Sequence, residues 1–522
     1  MIRKIHDFRY FSLLLFITAV LLYSSNISGV SIYILDEAKN AGCAREMFER
    51  GDLIVPTFNQ ELRTDKPPLH YFFMMLSYSL FGENAFAARF FSALFGALTT
   101  LITYRFARKY AGVETAFWTA AVLLASVHLS IQFHLAVPDP YLIFFFTTGV
   151  MSFYAAVKER KPLYLLLMYI AIGFGTLAKG PVAIGLPGLI FLLFLIFSKR
   201  FSWKEIRALK PLWGAALVLV IALPWYILVH LKTNGAWTDG FFLKHNLGRF
   251  TDEMEGHGGI FLLTIVFVLI GLFPFSAFVV QAAKQAWKNR KDDFTRFNLV
   301  AGVTIVAFFS VSRTKLPNYT VPAYPFLAMM LAQYLSTIRM NQPKSNISLL
   351  LLLSFSFILA PGIFLALKLD PALSHVNHIA WYFLPFPAIM MAAFFLWKKK
   401  KPEPALWLVT AGGMATAILF FTLAFPVIDR QNPVAKSQHL LDGKEVRYFE
   451  KFNPAFGFAL QEEIPPIQPD EFQSFFQQYP NGVIISTRNK LDQIELPEDL
   501  EVSFSARDIL ETPTSVLITR KP

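Results

Sequence analysis

The stretch PLWGAALVLVIALPWYILVHL at residues 211–231 decides the class of fold. It runs for 21 residues without a Lys, Arg, Asp or Glu. An α-helix needs about 20 predominantly apolar residues to cross the hydrocarbon core of a bilayer, so this stretch predicts a transmembrane helix. Similar stretches recur along the chain, and the sequence therefore predicts an α-helical polytopic membrane protein.

The composition agrees with this prediction. Of the 522 residues, 55% are hydrophobic and only 16% are charged, whereas soluble domains carry about 25% charged residues. An ordinary soluble protein and a disordered chain are therefore excluded. The single cysteine, Cys43, excludes a disulfide framework and a cysteine-based zinc site.

We expect about thirteen transmembrane helices, with ends that are uncertain by a few residues. The apolar runs lie at 10–29, 86–107, 114–131, 139–157, 163–178, 181–198, 211–231, 259–281, 297–312, 317–337, 347–368, 379–397 and 404–426.

Positive charge in the loops predicts the orientation. With the N-terminus inside, the inner segments hold 25 Lys and Arg residues and the outer loops of the membrane region hold 11. Because cytoplasmic loops carry an excess of Lys and Arg, we expect a cytoplasmic N-terminus. Thirteen spans then place the C-terminus outside.

The C-terminal segment 427–522 differs from the rest of the chain. It carries 10 Lys and Arg against 15 Asp and Glu, although the net charge of the whole chain is +12. Short β-branched runs alternate there with helical patterns and Pro-rich turns. We predict a membrane domain over 1–426, with an outer juxtamembrane loop at 30–85, and a small soluble α/β domain over 427–522. The basic charge of the membrane domain is typical of cytoplasmic loops, so no nucleic-acid partner is expected.

Ionisable residues gather in the loops that are predicted to lie outside. Such groups at a membrane boundary are candidate functional groups. Five loops contribute Asp36, Glu37, Lys39, Asp65 and Lys66; His134 and Asp139; Lys179; His245, Arg249 and His257; and Arg313 and Lys315.

These residue types suit a lipid that carries a phosphate and a sugar. Arg binds phosphate as a fork and Lys as a point charge, and a nearby carboxylate orients or deprotonates an acceptor hydroxyl. A polyprenyl-phosphate sugar presents these groups on the outer face, where nucleotide sugars are not available. The chain has no Walker-type loop, so we expect no nucleotide cofactor.

Each candidate also has a structural interpretation. Asp36 can cap a helix over 38–50, Asp139 can cap the span that follows it, and Lys179 can extend towards the membrane interface. His245 and His257 are weak evidence for a metal by their spacing alone. The sequence leaves these alternatives open.

An ordered set of sequence blocks resembles a known superfamily. The first outer loop contains LDEA at 35–38, AREM at 44–47, GDLIVP at 51–56 and DKPPL at 65–69. Later loops contain Asp139, AKGP at 178–181, the segment 245–257 with HN, RF and a final His, and SRTKLPNY at 312–319. Over roughly residues 10–340 the chain is similar to integral membrane glycosyltransferases of the GT-C fold. That superfamily contains the aminoarabinose transferases that act on lipid A and the protein O-mannosyltransferases.

The resemblance implies catalytic and metal-binding residues. Asp36 matches the essential acidic residue of the first outer loop, and Asp139 matches a second acidic residue of the cavity. Together with Glu37 they are the candidate catalytic residues. Asp65 and His257 are a candidate pair of ligands for a zinc-like divalent metal.

The resemblance also implies a site for the donor phosphate. Lys66 matches the lysine that holds this phosphate, and the chain departs from the aminoarabinose branch at Lys39, where the branch usually has Arg, and at Asp65, where it usually has Glu. The candidate phosphate-binding residues are Lys66, Lys39, Arg249, Arg313, Lys315 and Lys179.

The sequence thus predicts an enzyme of the bacterial inner membrane with its C-terminal domain in the periplasm. We expect transfer of a sugar, with inversion, from a polyprenyl-phosphate donor to a lipid A-like or other envelope acceptor, lipid or protein. A protein O-mannosyltransferase is the alternative within the same class. A transporter or flippase of lipid-linked sugars is the alternative outside it, although no inverted repeat is visible.

Overall fold

The computed structural model describes residues 10–248, 259–338, 346–509 and 512–521. The first half of the membrane domain is built from the helices α1 (Phe11–Tyr23), α2 (Leu35–Arg50), α3 (Leu69–Phe81), α4 (Ala85–Ala111), α5 (Val113–Ala125), α6 (Val127–Phe133), α7 (Asp139–Glu159), α8 (Pro162–Lys179), α9 (Val182–Phe197), α10 (Trp203–Ala208) and α11 (Pro211–Lys232). A short hairpin, β1 (Thr57–Phe58) and β2 (Glu61–Leu62), lies between α2 and α3.

The second half of the membrane domain continues with α12 (Ala236–Asp239), a π-helix (Gly240–Gly248), α13 (Phe261–Gly271), a 3₁₀ turn (Phe275–Phe278), α14 (Val279–Lys288), α15 (Asp293–Val311), a 3₁₀ helix (Pro317–Ala323), α16 (Tyr324–Ile338), α17 (Ile347–Leu369), a 3₁₀ helix (Ser374–Phe383), α18 (Pro385–Lys398), α19 (Pro402–Leu419), a π-helix (Phe420–Ala424) and α20 (Phe425–Asp429).

The chain is a multi-pass membrane protein, as the sequence predicts. Among the described residues, eight helical segments are long and apolar enough to cross a membrane, or up to ten if two bent pairs each count as one span. The remaining predicted runs form shorter apolar helices, among them Phe11–Tyr23 and Val182–Phe197. All thirteen apolar runs form helices, but α1, α9 and α16 have only 13, 16 and 15 residues.

Breaks in the backbone explain the two bent pairs. α5 and α6 meet at 65° at Ser126, which caps α6 by accepting the backbone N–H of Leu129. α13 and the helical segment Phe275–Lys288 meet at 113°. Sharp changes of direction divide two predicted runs into shorter helices.

The predicted small α/β domain is confirmed at the C-terminus. It contains α21 (Pro433–Leu441), β3 (Val446–Tyr448), α22 (Ala455–Leu460), a 3₁₀ turn (Pro469–Glu471), α23 (Phe472–Gln478), β4 (Val483–Thr487), α24 (Arg488–Leu491), β5 (Leu500–Arg507) and β6 (Thr514–Arg520). The strand order is β3-β4-β6-β5, with β3 parallel to β4 and the other pairs antiparallel.

Helix α2 is the element that carries the first acidic motif, and it is held between the two domains. Its residues from Glu37 to Met47 are almost all buried. It packs against α3 on one side and against α22 of the C-terminal domain on the other, where Arg45 donates a 3.0 Å hydrogen bond to the carbonyl of Gly457. Gly51 ends the helix in the left-handed region, at φ 62°.

Candidate active site

One cavity of about 670 Å³ collects the polar residues of the predicted outer loops. Its walls come from α2, the turn before α3, the facing ends of α7, α8 and α9, the π-helix at 240–248, α15 and the 3₁₀ helix that follows it. The ionisable lining residues are Asp36, Lys39, Asp65, Lys66, Asp139, Lys179 and His245. The apolar lining includes Leu142, Val182, Leu186, Phe241, Phe308, Phe309 and Leu316.

Asp36 lies in the first turn of α2 with its carboxylate at the cavity. The helix N-cap is Ile34, without a side-chain cap, so Asp36 does not have the capping role that the sequence left open. Its side chain is 49% exposed, and Oδ2 lies 3.6 Å from the ammonium of Lys66. Burial by itself would raise the pKa of Asp36, but the charges of Lys66, Arg63 and Lys179 outweigh it and lower the pKa to about 2. The carboxylate is therefore ionised at neutral pH.

Glu37, the neighbour of Asp36, points into the protein instead. It is 1% exposed and forms a bidentate pair with Arg89, with two nitrogen–oxygen distances of 2.7 Å. Its Oε1 also accepts the backbone N–H of Ala136 at 2.8 Å. Glu37 is not among the described residues that line the cavity, so its geometry indicates a structural role rather than the catalytic role predicted for it.

Arg89 connects this pair to the backbone that leads into α2. Its guanidinium donates hydrogen bonds of 2.7–2.9 Å to the carbonyls of Ile27, Val30 and Ser31. The side chain is 2% exposed. Arg89 therefore fixes the segment that precedes Asp36, a role that a single Arg in an apolar run did not reveal.

Asp139 and Lys179 form a buried ion pair in the cavity wall. Asp139 begins α7 and Lys179 ends α8, and Lys179 Nζ lies 2.5 Å from Asp139 Oδ1. The side chains are 4% and 18% exposed, and the ammonium also lies 5.7 Å from the ring centroid of Tyr319. The ion pair connects helices α7 and α8. Asp139 and Lys179 are therefore direct partners and not two separate groups at the membrane surface.

Asp65 meets a histidine, but not the one that the resemblance implies. Its Oδ1 lies 2.9 Å from Nε2 of His245, and its Oδ2 lies 3.5 Å from Arg63. Burial opposes ionisation, but the hydrogen bond from His245 and the charge of Arg63 hold the pKa of Asp65 well below its usual range. The expected partner, His257, lies outside the described residues.

A metal at this position stays a prediction. Within residues 10–248, 259–338, 346–509 and 512–521, no group of three or more His, Cys, Asp or Glu side chains is placed to hold a metal ion. Asp65 and His245 provide two donor groups that already contact each other. No chemical step is therefore assigned to a metal.

The phosphate-binding candidates fall into two groups. Lys39, Lys66 and Lys179 line the cavity. Arg313 is exposed and does not belong to the described lining, and the ammonium of Lys315 instead donates to the carbonyls of Ser310 and Ser312, at 3.0 and 2.6 Å. Arg249 lies outside the described residues.

Sequence reasoning missed Arg63 as a member of this site. Arg63 is 5% exposed and lies behind the cavity carboxylates. It lies three residues before Lys66, just outside the block at 65–69, and a lone cation in a loop predicts no specific role.

Comparison with known proteins identifies the class. Residues 65–228 match the family model for dolichyl-phosphate-mannose-protein mannosyltransferases. An uncharacterized protein of Aquifex aeolicus is 27% identical over 444 residues, which is 84% of each chain. The undecaprenyl phosphate-α-4-amino-4-deoxy-L-arabinose arabinosyl transferase of Pectobacterium atrosepticum is 29% identical over 322 residues, or 60% of this chain. The match spans 57% of that relative's length.

The fold agrees with these matches. The crystal structure of ArnT from Cupriavidus metallidurans bound to undecaprenyl phosphate superposes with a TM-score of 0.78, at 22% identity, over 98% of each chain. The apo form of that protein gives 0.76 at 20% identity.

In sequence and in fold the chain is therefore similar to the integral membrane glycosyltransferases of the GT-C superfamily, as the sequence blocks indicated. Within that superfamily its long alignments run to aminoarabinose transferases.

Proposed function

We propose that this enzyme transfers a sugar from an undecaprenyl-phosphate donor to an acceptor of the bacterial envelope, on the outer face of the inner membrane. The observation that carries the proposal is the cavity itself. It is lined both by Asp36, Lys39 and Lys66 and by apolar residues of α9 and α15. A lipid-linked sugar needs both surfaces, because its tail is apolar and its phosphate is anionic.

The donor lipid follows from the relatives. The arabinosyl transferases are named for an undecaprenyl-phosphate sugar, and the Cupriavidus structure contains undecaprenyl phosphate. In this chain, Val182 and Leu186 of α9 and Phe308 and Phe309 of α15 line the side of the cavity suited to isoprenoid units. The bilayer then supplies the donor laterally.

Lys39 is the cavity cation best placed to take up a new anion. Lys66 faces Asp36, and Lys179 is engaged by Asp139. No hydrogen-bond or ion-pair partner of Lys39 is found within the described ranges, although it lines the same cavity. Lys39 and Lys66 together hold the donor phosphate and stabilise the charge that develops on it as it leaves.

The reaction is a single displacement. An oxygen of the acceptor forms a bond to the anomeric carbon as the bond from that carbon to the phosphate oxygen breaks, and undecaprenyl phosphate leaves with the electron pair. Inversion follows if the acceptor oxygen approaches the anomeric carbon from the face opposite the phosphate that the lysines hold.

The acidity of Asp36 favours an acceptor that is already ionised. A carboxyl group with a pKa of about 2 is a weak general base, because an effective base has a pKa close to the working pH. A phosphate of a lipid A-like acceptor needs no deprotonation, whereas a protein hydroxyl does. The direction of this pKa shift therefore favours an anionic envelope lipid as the acceptor, and the acceptor remains part of the proposal.

A protein O-mannosyltransferase-like activity is the second candidate. The family model over residues 65–228 favours it. It requires that Asp36 become a stronger base once the donor phosphate has neutralised Lys66. The two candidates differ in the acceptor that gains mass.

The proposal is tested with purified protein and a lipid extract from cells that lack the gene. This extract contains the unused donor, whichever sugar the donor carries. Wild-type protein should release undecaprenyl phosphate from this extract when envelope lipids are added, and the Asp36→Asn variant should not. Movement of intact donor across vesicles without release would establish a transporter instead.

The orientation is part of the proposal. We place the N-terminus in the cytoplasm and the 427–522 domain in the periplasm. A phosphatase reporter fused after residue 522 should be active in cells, and an inactive reporter in a stably expressed fusion would reverse the assignment.

A further inference from the structure

We propose that Arg63 is the positioning residue that fixes the two carboxylates of this site, Asp36 and Asp65. The inference rests on the proposed function, since it assigns a role in the same reaction. It goes beyond the residues that the sequence blocks indicated, which did not include Arg63.

The guanidinium of Arg63 lies between the two carboxylates. Its terminal nitrogen is 3.7 Å from Oδ1 of Asp36 and 3.5 Å from Oδ2 of Asp65. The same nitrogen donates a 2.9 Å hydrogen bond to Oδ1 of Asn40, one turn further along α2. The Arg63 side chain is 4% exposed, whereas those of Asp36 and Asp65 are 49% and 28% exposed. The cation is thus behind the carboxylates and the cavity is in front of them.

This contact leaves one oxygen of each carboxylate for the cavity side. Oδ2 of Asp36 faces Lys66 at 3.6 Å, and Oδ1 of Asp65 faces His245 at 2.9 Å. Arg63 therefore joins an unbroken row of groups that runs from Lys66 through the two carboxylates to His245. Removing the central cation frees both carboxylates to rotate.

The backbone of Arg63 is itself held on two sides. Its N–H donates to the carbonyl of Pro56 at 2.9 Å, next to the β1–β2 hairpin. Its carbonyl accepts the indole N–H of Trp237, a fully buried side chain, at 2.9 Å. A long side chain on a fixed backbone is pre-organised, which is what a positioning group requires.

Lysine cannot reproduce this arrangement. All three contacts converge on one terminal nitrogen of Arg63, which the planar guanidinium fixes at the end of the side chain, whereas the ammonium of lysine is a point charge on a shorter, flexible stem. Arg63→Lys therefore keeps the charge and loses the geometry. Arg63→Ala loses both.

The experiment measures turnover of the donor in the lipid extract described above. We expect Arg63→Lys to lower kcat about 10- to 100-fold, because small misplacements of reacting groups have effects of this size. The KM for donor should stay within about threefold, because Lys39 and Lys66 remain. Guanidinium chloride should partly restore Arg63→Ala, and urea at the same concentration should not.

Arg45 is the matched control. It is an equally buried arginine on α2, but it contacts Gly457 and Glu49 and none of the cavity carboxylates. Arg45→Lys should keep the kcat of the folded protein. Equal losses in the Arg45 and Arg63 variants, or a wild-type kcat in Arg63→Lys, would overturn the positioning role.

Failure of the proposed function can be distinguished from failure of the positioning role. If the proposed function were wrong, the wild-type protein itself would release no undecaprenyl phosphate. The positioning role has a second readout that does not depend on turnover. In a cryo-EM map of Arg63→Ala, the carboxylates of Asp36 and Asp65 should leave the positions they have in wild type while α2 stays in place. Unchanged carboxylates would refute the inference.

Discussion

Glu37 and its neighbour Asp36 point to opposite sides of α2, one into a buried ion pair with Arg89 and the other into the cavity. Adjacent residues on a helix are about 100° apart, so two neighbouring carboxylates cannot share one surface. The acidic pair of the first outer loop therefore divides into one carboxylate in a buried ion pair and one that lines the cavity.

This division predicts unequal effects for two similar variants. Glu37→Gln breaks a fully buried ion pair and leaves Arg89 partly unpaired, which should lower the free energy of unfolding by about 3–5 kcal/mol. Asp36→Asn removes a half-exposed carboxylate whose contacts with Lys66 and Arg63 are 3.6–3.7 Å, so it should lower stability less than Glu37→Gln does. Thermal unfolding in detergent compares them. Equal stability of the two variants would contradict the structural role of Glu37.

The Asp139–Lys179 pair should behave as one unit. Removing either partner leaves the other charge buried, so Asp139→Asn and Lys179→Met should each destabilise the fold. The double variant should lose less than the sum, with a coupling of about 1–3 kcal/mol. A double-mutant cycle of unfolding free energies measures this coupling, and strict additivity would show that the 2.5 Å contact contributes nothing.

Lys39→Met should weaken the binding of donor. Charged hydrogen bonds contribute about 1.5–3 kcal/mol, so we expect the donor KM to rise about tenfold or more while kcat changes less. Lys232→Met is the control, because Lys232 pairs with Asp52 and is 51% exposed. If both variants bind the donor as the wild-type protein does, Lys39 does not contribute to the phosphate site.

The pH dependence follows from the lowered pKa of Asp36, about 2 against a usual value near 3.9. A carboxyl group of lowered pKa stabilises the folded state above its unfolded pKa, and this contribution is lost as the pH falls towards 2. Between about pH 5 and 8 the carboxylate stays ionised, so turnover should show no acid limb from Asp36. Lys66→Met should raise this pKa, because Lys66 is the strongest of the lowering charges.

A pH–rate profile of the wild-type and Lys66→Met proteins tests that statement. If the turnover of the wild-type protein fell below about pH 6 because Asp36 became protonated, the pKa of Asp36 would be far higher than its charged neighbours predict. Such a result would also favour a hydroxyl acceptor over an ionised one.

The membrane class and the C-terminal domain could be predicted from the sequence because both follow from local patterns. Uncharged runs predict helices, and short β-branched runs such as 515–519 predicted the strand Thr514–Arg520. The sharp bend between Phe261–Gly271 and Phe275–Lys288 could not be predicted from the sequence, because a change of direction within an apolar run depends on packing.

The partners within the site depend on tertiary contacts. Sequence blocks correctly indicated that Asp36, Asp65, Lys66, Asp139 and Lys179 share one cavity. They did not show that Arg63 bridges two carboxylates, because its partners are brought together only by folding.

Lys315 illustrates the same limit. A lysine in a block that resembles the glycosyltransferases is predicted to bind phosphate, yet its ammonium donates to the carbonyl of Ser310 at the end of α15 and to that of Ser312 just after it. Which cation faces the cavity is decided by the path of the loop and not by residue type.

The most direct test of the central claim compares the envelope of cells with the gene, without it, and with an Asp36→Asn copy. Mass spectrometry of envelope lipids and glycoproteins should show one sugar mass that is lost without the gene, that wild type restores and that Asp36→Asn does not. The matching undecaprenyl-phosphate sugar should accumulate in both deficient strains. Normal sugar transfer by the Asp36→Asn protein, or no change in any pool, would contradict the account.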